Sequence, residues 1–169
     1  LVTFQEGKWY LQEADRYLIL RTAWVYGALG QANFVKTMLR LGGERTELRV
    51  VADQIGAPTW AADLARATAQ LLAHDLAPQH GGIYHYTNAG VASWYDFAVA
   101  IFEEARALGA SFPLQRVLPI ATDQYPTPAK RPPFSVLSTR KLSTLLGVSP
   151  PHWRVSLRSM LSQLYPHSL

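Results

Sequence analysis

Cysteine is absent from this chain, which excludes disulfides, thiolate metal sites and a cysteine nucleophile. The absence is compatible with the cytoplasm, the location expected here. No apolar run approaches the roughly 20 residues that a membrane-spanning helix needs, so no membrane partner is expected. The first residues, Leu1-Val2-Thr3-Phe4-Gln5-Glu6, lack the basic start and apolar core of a signal peptide. An initiator methionine is lacking too, and the expectation is a trimmed or excised piece. No pair of histidines has metal-ligand spacing, and no Gly-x-Ser-x-Gly elbow occurs, so no metal site and no serine-hydrolase centre are expected. Charge is sparse: 17% of residues are charged, the net charge is +4, and the excess is spread along the chain. Without a dense basic stripe a nucleic-acid partner is not expected, whereas an anionic small molecule suits such a surface.

What is present is a globular composition. The 169 residues are 49% hydrophobic, enough for one domain with a core. Residues 6–15 read as the end of a helix. Residues 18–26, Leu-Ile-Leu-Arg-Thr-Ala-Trp-Val-Tyr, read as one strand, apolar on both faces as in a buried parallel sheet. Phe34, Met38, Leu39 and Leu41 follow at helical spacing, with Gly42-Gly43 as the expected stop. A second strand spans 48–52. Thr59 is the expected cap of a helix over 60–74, with Asp63 near its positive start. A short strand at 82–87 precedes an amphipathic helix capped by Ser93, on which Asp96, Glu103 and Glu104 read as a solvated face. Residues 117–120 form an expected edge strand because of Pro119. The stretch 125–134 carries Pro126, Pro128, Pro132 and Pro133 and reads as a shaped loop presenting Lys130 and Arg131. Ser138 is the expected cap of a short helix ending at Gly147, and 153–165 the final helix. No repeat, low-complexity run or flexible linker is evident.

Two segments draw attention as possible ligand borders: Arg21-Thr22-Ala23-Trp24-Val25-Tyr26-Gly27 and Asp53-Gln54-Ile55-Gly56-Ala57-Pro58-Thr59. Each is a strand end running into a polar loop, the place where open α/β sheets bind ligands. Trp24 could wall a pocket with its N–H as a polar handle, or be a core tryptophan at a strand end. Gln54 offers donor and acceptor atoms for a base or sugar, although the Asp53–Thr59 stretch is equally ordinary turn chemistry. Arg131 suits bidentate phosphate contact, or is simply a solvated basic residue. His85, alone in a strand, reads as a structural histidine.

Taken in order, RTAWVYG, NFVKTMLRL, DQIGAPTWAADLA, GIYHYTNAG, SWYDFAVAIFEEA and YPTPAKRPPFSVLSTRKL resemble the dTDP-4-dehydrorhamnose reductases, from about Leu18 to Tyr165. These belong to the extended short-chain dehydrogenase/reductase superfamily. The resemblance implies an α/β fold, the C-terminal part of an NAD(P)-binding Rossmann-like fold, with the last parallel strands plus a substrate-binding lobe. It implies one partial domain, with the last Rossmann elements in 1–65 and mainly the substrate lobe in 66–169, the two interleaved. The family reduces dTDP-4-dehydro-L-rhamnose to dTDP-L-rhamnose with NADPH or NADH, often feeding bacterial surface polysaccharide such as lipopolysaccharide. By resemblance, Trp24 lines the deoxysugar pocket, Gln54, Pro58 and Thr59 border the nucleotide-sugar, and Arg131 lies near its diphosphate. Thr22, Ala23 and Val25 then lie near the nicotinamide.

The family's glycine-rich cofactor loop is not found in this sequence, and no Tyr-x-x-x-Lys occurs, so no catalytic residue is assigned. Aligning Gly7 with the glycine that follows the family's lysine puts Phe4 at the lysine position. The expectation is a C-terminal portion, inactive alone, partnered by the missing N-terminal half or by a second copy in a homodimer or swapped assembly. The alternatives are a nucleotide-sugar-binding module without chemistry, a related epimerase or reductase for another nucleotide sugar, and a regulatory interaction subunit.

Overall fold

The computed structural model describes residues 17–73, 81–125 and 131–165. The expected helix at 6–15 and Lys130 lie outside them. Along the chain run β1 (Leu18–Arg21), β2 (Val25–Tyr26), α1 (Phe34–Glu44), β3 (Glu47–Val51), β4 (Ile55–Gly56), β5 (Thr59–Trp60) and α2 (Ala61–Ala73). Then come β6 (Gly82–His85), β7 (Ala92–Ser93), α3 (Trp94–Ala107), β8 (Arg116–Ile120), α4 (Arg140–Leu146) and α5 (Trp153–Leu164). Strands pair β1–β6, β2–β5 and β3–β8, all parallel, while β4–β7 is antiparallel. This is the α/β class expected from strands apolar on both faces.

The strand expected over 18–26 is broken. Trp24 has φ 51°, in the left-handed region that a bulky residue rarely enters. There the chain leaves β6 and takes β5 as its partner, so one apolar run serves two strand pairs. The expected helix stop at Gly42-Gly43 is also corrected, since α1 continues to Glu44. Gly42 is there for closeness: a Cβ on it would meet the Phe102 ring of α3, 2.8 Å from Cζ. At its other end α1 is capped by Asn33, whose Oδ1 accepts from Lys36 N at 3.1 Å while Nδ2 donates to the Gly27 carbonyl at 2.8 Å.

Helix α3 is the centre of the larger core, with Phe97, Ile101, Phe102 and Ala105 buried against α1, α5 and β3. Ser93 and Asp96 form a capping box at its start, so Asp96 is part of the cap and not merely a solvated side chain. Glu104 corrects the solvated-face expectation more sharply, because its side chain is only 2% exposed. It accepts from Arg154 Nε and Arg158 Nε, both at 2.7 Å, which fastens α3 to α5. A smaller core of Ala67, Leu71, Tyr84, Tyr86 and Leu142 joins α2, β6 and α4. Helix α4 ends at Gly147 (φ 68°) as expected, but its cap position is Thr139, one residue beyond Ser138.

The two cores are joined by a buried polar knot. Asn88 Oδ1 accepts from Trp60 N at 2.8 Å, and its Nδ2 donates to Asp63 Oδ2 at 2.7 Å and Ser156 Oγ at 3.0 Å. Arg66 completes the Asp63 carboxylate from the exposed side. The helix expected over 60–74 therefore begins without a threonine cap. Thr59 lies in β5, and its hydroxyl donates to the Ala57 carbonyl at 3.2 Å.

Two measurements follow. Asn88→Ala leaves the Trp60 N–H without its acceptor and removes one of the donors to the Asp63 carboxylate, and a loss of about 2–4 kcal/mol in urea unfolding is expected. A loss below about 0.5 kcal/mol would contradict the knot's role. Glu104 is held below its ordinary 4.5, first by the Arg158 hydrogen bond and then by Arg154, against the effect of burial. Its contribution is complete above pH 4.5 and is lost as pH falls through the lower folded value. Glu104→Gln is therefore expected to destabilise at neutral pH by about 1–2 kcal/mol, with the gap to the parent closing in acid.

Candidate functional site

Three chain segments converge beside the start of α3. The first is the end of β1 with Trp24. The second is the turn between β3 and β5, residues 52–58. The third is the proline-rich loop after β8. Backbone bonds fix their mutual register. Trp24 O accepts from Thr59 N at 3.1 Å, Ile55 N donates to Pro133 O at 2.8 Å, and Ser135 N donates back to Ile55 O at 2.9 Å. Hence the loop carrying Arg131 is stitched along β4, next to Gln54.

The aromatic geometry is tight. The Trp24 indole stacks on Trp94, the first residue of α3, with centroids 3.5 Å apart and planes 6° from parallel. Trp94 in turn leans on Phe34, and Phe34 stacks on Phe97 in the core. Gly56 is buried against the same indole. A Cβ there would stand 2.6 Å from Trp24 Nε1 and 2.7 Å from Cζ2.

The other expected residues are placed as follows. Gln54 is half-buried and its Nε2 donates to Thr122 Oγ1 at 3.1 Å. Pro58 and Thr59 are buried, and Thr59 is wholly enclosed. They shape the turn from beneath. Arg131 is exposed and, among the described residues, has no ion-pair partner. Thr22 and Val25 are exposed and Ala23 half-buried, forming a rim on either side of Trp24. Tyr26, behind this rim, is buried; burial and then the Asp63 charge hold its phenol far above the ordinary range, so it stays neutral. A cavity of about 270 Å³ lies elsewhere, between α2 and α4, lined by Arg66, Tyr86, Leu142 and Pro151 among others. None of the residues singled out from the sequence as candidate site residues lines it. The Tyr86 phenol in its wall is pushed up to about 12, by burial first and by the Asp63 charge second. Among the described residues, no cluster of three His, Cys, Asp or Glu side chains could hold a metal ion.

Two residues of this region went unmarked in the sequence as functional, Trp94 and Thr122, and Gly56 was marked only as part of the Asp53–Thr59 stretch. Trp94 carried a usable signal. The Ser93–Asp96 capping box places it at the first turn of α3, at the mouth of the site rather than in the helix interior. Thr122 had none, because its contacts span 68 or 69 residues.

Asp53 accepts from Thr122 Oγ1 at 2.6 Å and Thr122 N at 3.0 Å, and these bonds hold its carboxyl below the ordinary carboxylate range. Thr122→Val removes the larger cause and keeps the backbone donor. The Asp53 pKa, followed by carbon NMR titration, is expected to rise toward its ordinary value; an unchanged value would contradict this assignment.

Comparisons with known proteins bear on the fold and the family. The family model described as "RmlD substrate binding domain" matches residues 5–165. The chain is 44% identical over 161 residues to dTDP-4-dehydrorhamnose reductase of Escherichia coli (strain K12), covering 94% of this chain and 54% of that protein. It is 45% identical over 158 residues to the enzyme of the same name from Burkholderia thailandensis, covering 87% and 53%. Among solved structures, dTDP-4-dehydrorhamnose reductase from Bacillus anthracis in complex with NADP superposes with a TM-score of 0.81 at 38% identity, covering 93% of this chain and 52% of that one. UDP-glucuronic acid 4-epimerase from Bacillus cereus, at 21% identity and a TM-score of 0.59, shares the fold. The chain thus spans about half the length of the relatives it matches. On the family model's match and the relatives at 44% and 45% identity, the chain belongs to the RmlD substrate binding domain family, as a C-terminal portion of an extended short-chain dehydrogenase/reductase fold.

Proposed function

We propose that this chain supplies the sugar-side wall of an NAD(P)H-dependent dTDP-4-dehydrorhamnose reductase. The whole enzyme would reduce the 4-keto group of dTDP-4-dehydro-L-rhamnose to give dTDP-L-rhamnose, in the cytoplasm, for surface polysaccharide such as lipopolysaccharide. The observation that carries the reading is the convergence of Trp24, the Gln54–Thr59 turn and the Arg131 loop at one end of the parallel strands. It is joined by relatives of that name at 44% and 45% identity. In this reading Trp24 faces the deoxysugar, Gln54 reads the nucleotide-sugar, and Pro58 and Thr59 hold the turn's shape. Arg131 is an exposed guanidinium suited to the diphosphate. Exposed Thr22 and Val25, with half-buried Ala23 between them, are suited to border a flat nicotinamide at the end of β1. NADPH or NADH, when bound, supplies the hydride; these residues orient and enclose. Elements up to residue 65 belong with the Rossmann half, and those from 66 onward mainly with the substrate lobe.

The proton donor pair is another matter. Among the 169 residues there is no Tyr-x-x-x-Lys and no glycine-rich phosphate loop. The polypeptide by itself is therefore expected to bind and not to turn over. Its short parallel strand pairs favour completion by the other half of the fold or by a second copy.

The test is direct. The purified chain, freed of host reductase, is mixed with NADPH and dTDP-4-dehydro-L-rhamnose, and absorbance of the reduced cofactor is followed. No oxidation is expected; sustained turnover would overturn the inactive-alone reading. Calorimetry with dTDP-L-rhamnose is expected to give binding that Trp24→Ala weakens at least tenfold. Light scattering is expected to show a dimer or larger assembly, and a monodisperse monomer would count against self-association.

A further inference from the structure

The cavity between α2 and α4 contains a polar group that the fold leaves unused. Tyr86, 5% exposed, stands in its wall just after β6, and its backbone N donates to Arg21 O at 2.9 Å, so the residue is held at its root. Its phenol oxygen has no hydrogen-bond partner among the described residues. Among those residues the sealed side-chain polar atom without a partner is Trp153 Nε1. The Tyr86 oxygen is therefore not sealed, and the space it opens on is the cavity. A buried hydroxyl normally finds a partner, because a lone one gives up water without replacement. This phenol is pushed up to about 12, so at neutral pH it is a proton donor.

The charges beside it are already paired. Asp63 and Arg66 are the charged residues of the lining. Asp63 accepts from Asn88 Nδ2 at 2.7 Å, from Ser156 Oγ and from Arg66. The Arg66 guanidinium also lies over the Trp60 ring, 5.2 Å from its centroid. The wall thus carries no net charge. An anion approaching Arg66 would also meet the Asp63 carboxylate, and a cation would meet Arg66. Much of the remaining surface is hydrocarbon, from Leu142, Leu146, Val148 and the Pro150-Pro151 pair. The volume of about 270 Å³ lies at the low end of ligand pockets, which span roughly 300–1,000 Å³. It is small for a nucleotide-sugar and suits a single ring.

We propose that this cavity is a second binding site, for an uncharged, ring-sized molecule that carries a carbonyl oxygen, with the Tyr86 O–H as donor and the Leu142, Leu146 and proline surface around the ring. The site stands apart from the sugar-wall reading, since neither Trp24, Gln54 nor Arg131 lines it. Asp63 belongs both to its wall and to the Asn88 knot, so an occupant rests against the group that helps to fix Trp60.

Three probes separate the contributions. Acetophenone supplies a ring and a carbonyl, ethylbenzene a similar shape without an acceptor, and benzoate a charge. The chain has eight tyrosines, so tyrosine labelling gives a small set of ring signals, and Tyr86→Phe identifies the one that belongs to Tyr86. Affinities are read in the same titrations from the methyl signals of Leu142 and Leu146. Acetophenone is expected to shift the Tyr86 signal saturably, and to bind at least about threefold more tightly than ethylbenzene or benzoate. Tyr86→Phe is expected to weaken acetophenone by about three- to tenfold and to leave ethylbenzene unchanged. It is also expected to melt no lower than the parent, since the hydroxyl it removes has no protein partner. Ser143→Trp, which fills the cavity from α4, is expected to abolish binding of all three. No saturable shift at Tyr86, or acetophenone binding unchanged by both substitutions, would mean a cavity that holds only water and would overturn the proposal. Tighter binding of benzoate or ethylbenzene than of acetophenone would overturn it equally. Each of these results leaves the sugar-wall reading standing.

Discussion

The Asn88 amide is the constraint on which the rest of the structure depends. Its oxygen takes the Trp60 N–H, and its nitrogen reaches Asp63, Ser156 and the Pro151 carbonyl. One side chain thus ties β5, the start of α2 and the entry to α5. Asn88, Trp60, Asp63 and Ser156 are buried, and a buried amide or carboxylate without partners costs more than the bond it would have made. The pairing of β5 with β2 follows from it. Once Trp60 is fixed, Thr59 N meets Trp24 O and Val25 lies against Thr59. The candidate site is therefore set from behind by a polar knot.

The energetics at Trp24 are finely balanced. A non-glycine residue in the left-handed region costs on the order of 1–3 kcal/mol. Against this stand a parallel indole pair, worth about 0.5–1.5 kcal/mol beyond its buried area, and a backbone hydrogen bond of similar net size. The conformation persists because neighbours impose it, chiefly Trp94 on one face and Gly56 on the other. Strain held in this way gives the indole one fixed orientation, which would lower the ordering cost of a ligand contact there.

Much of the fold was legible because its signals are local. Ser93 caps α3, Gly147 ends α4, and the apolar runs at 18–26 and 48–52 lie in parallel strand pairs. What failed to read were features decided by a distant partner. The run at 18–26 looked continuous because nothing in Thr22-Ala23-Trp24 announces a left-handed residue. Gly42-Gly43 looked like a stop because the Phe102 ring that requires closeness is 60 positions away in sequence. Glu104 looked solvated because its two arginines are on α5. At the site, motif order singled out Trp24, Gln54 and Arg131. The clamp on Trp24 and the Thr122 anchor of Asp53 are tertiary contacts, and of the residues that make them only Trp94 carried a local signal, the Ser93–Asp96 capping box.

The central claim is that the loops at the ends of β1, β3 and β8 form a nucleotide-sugar wall with Trp24 at its centre. A crystal structure of the chain with dTDP-L-rhamnose tests it most directly. The claim requires the deoxysugar against Trp24, with the Gln54–Thr59 turn and Arg131 bordering the nucleotide diphosphate. Ligand density in the cavity between α2 and α4 instead, with the Trp24 surface bare, would contradict it.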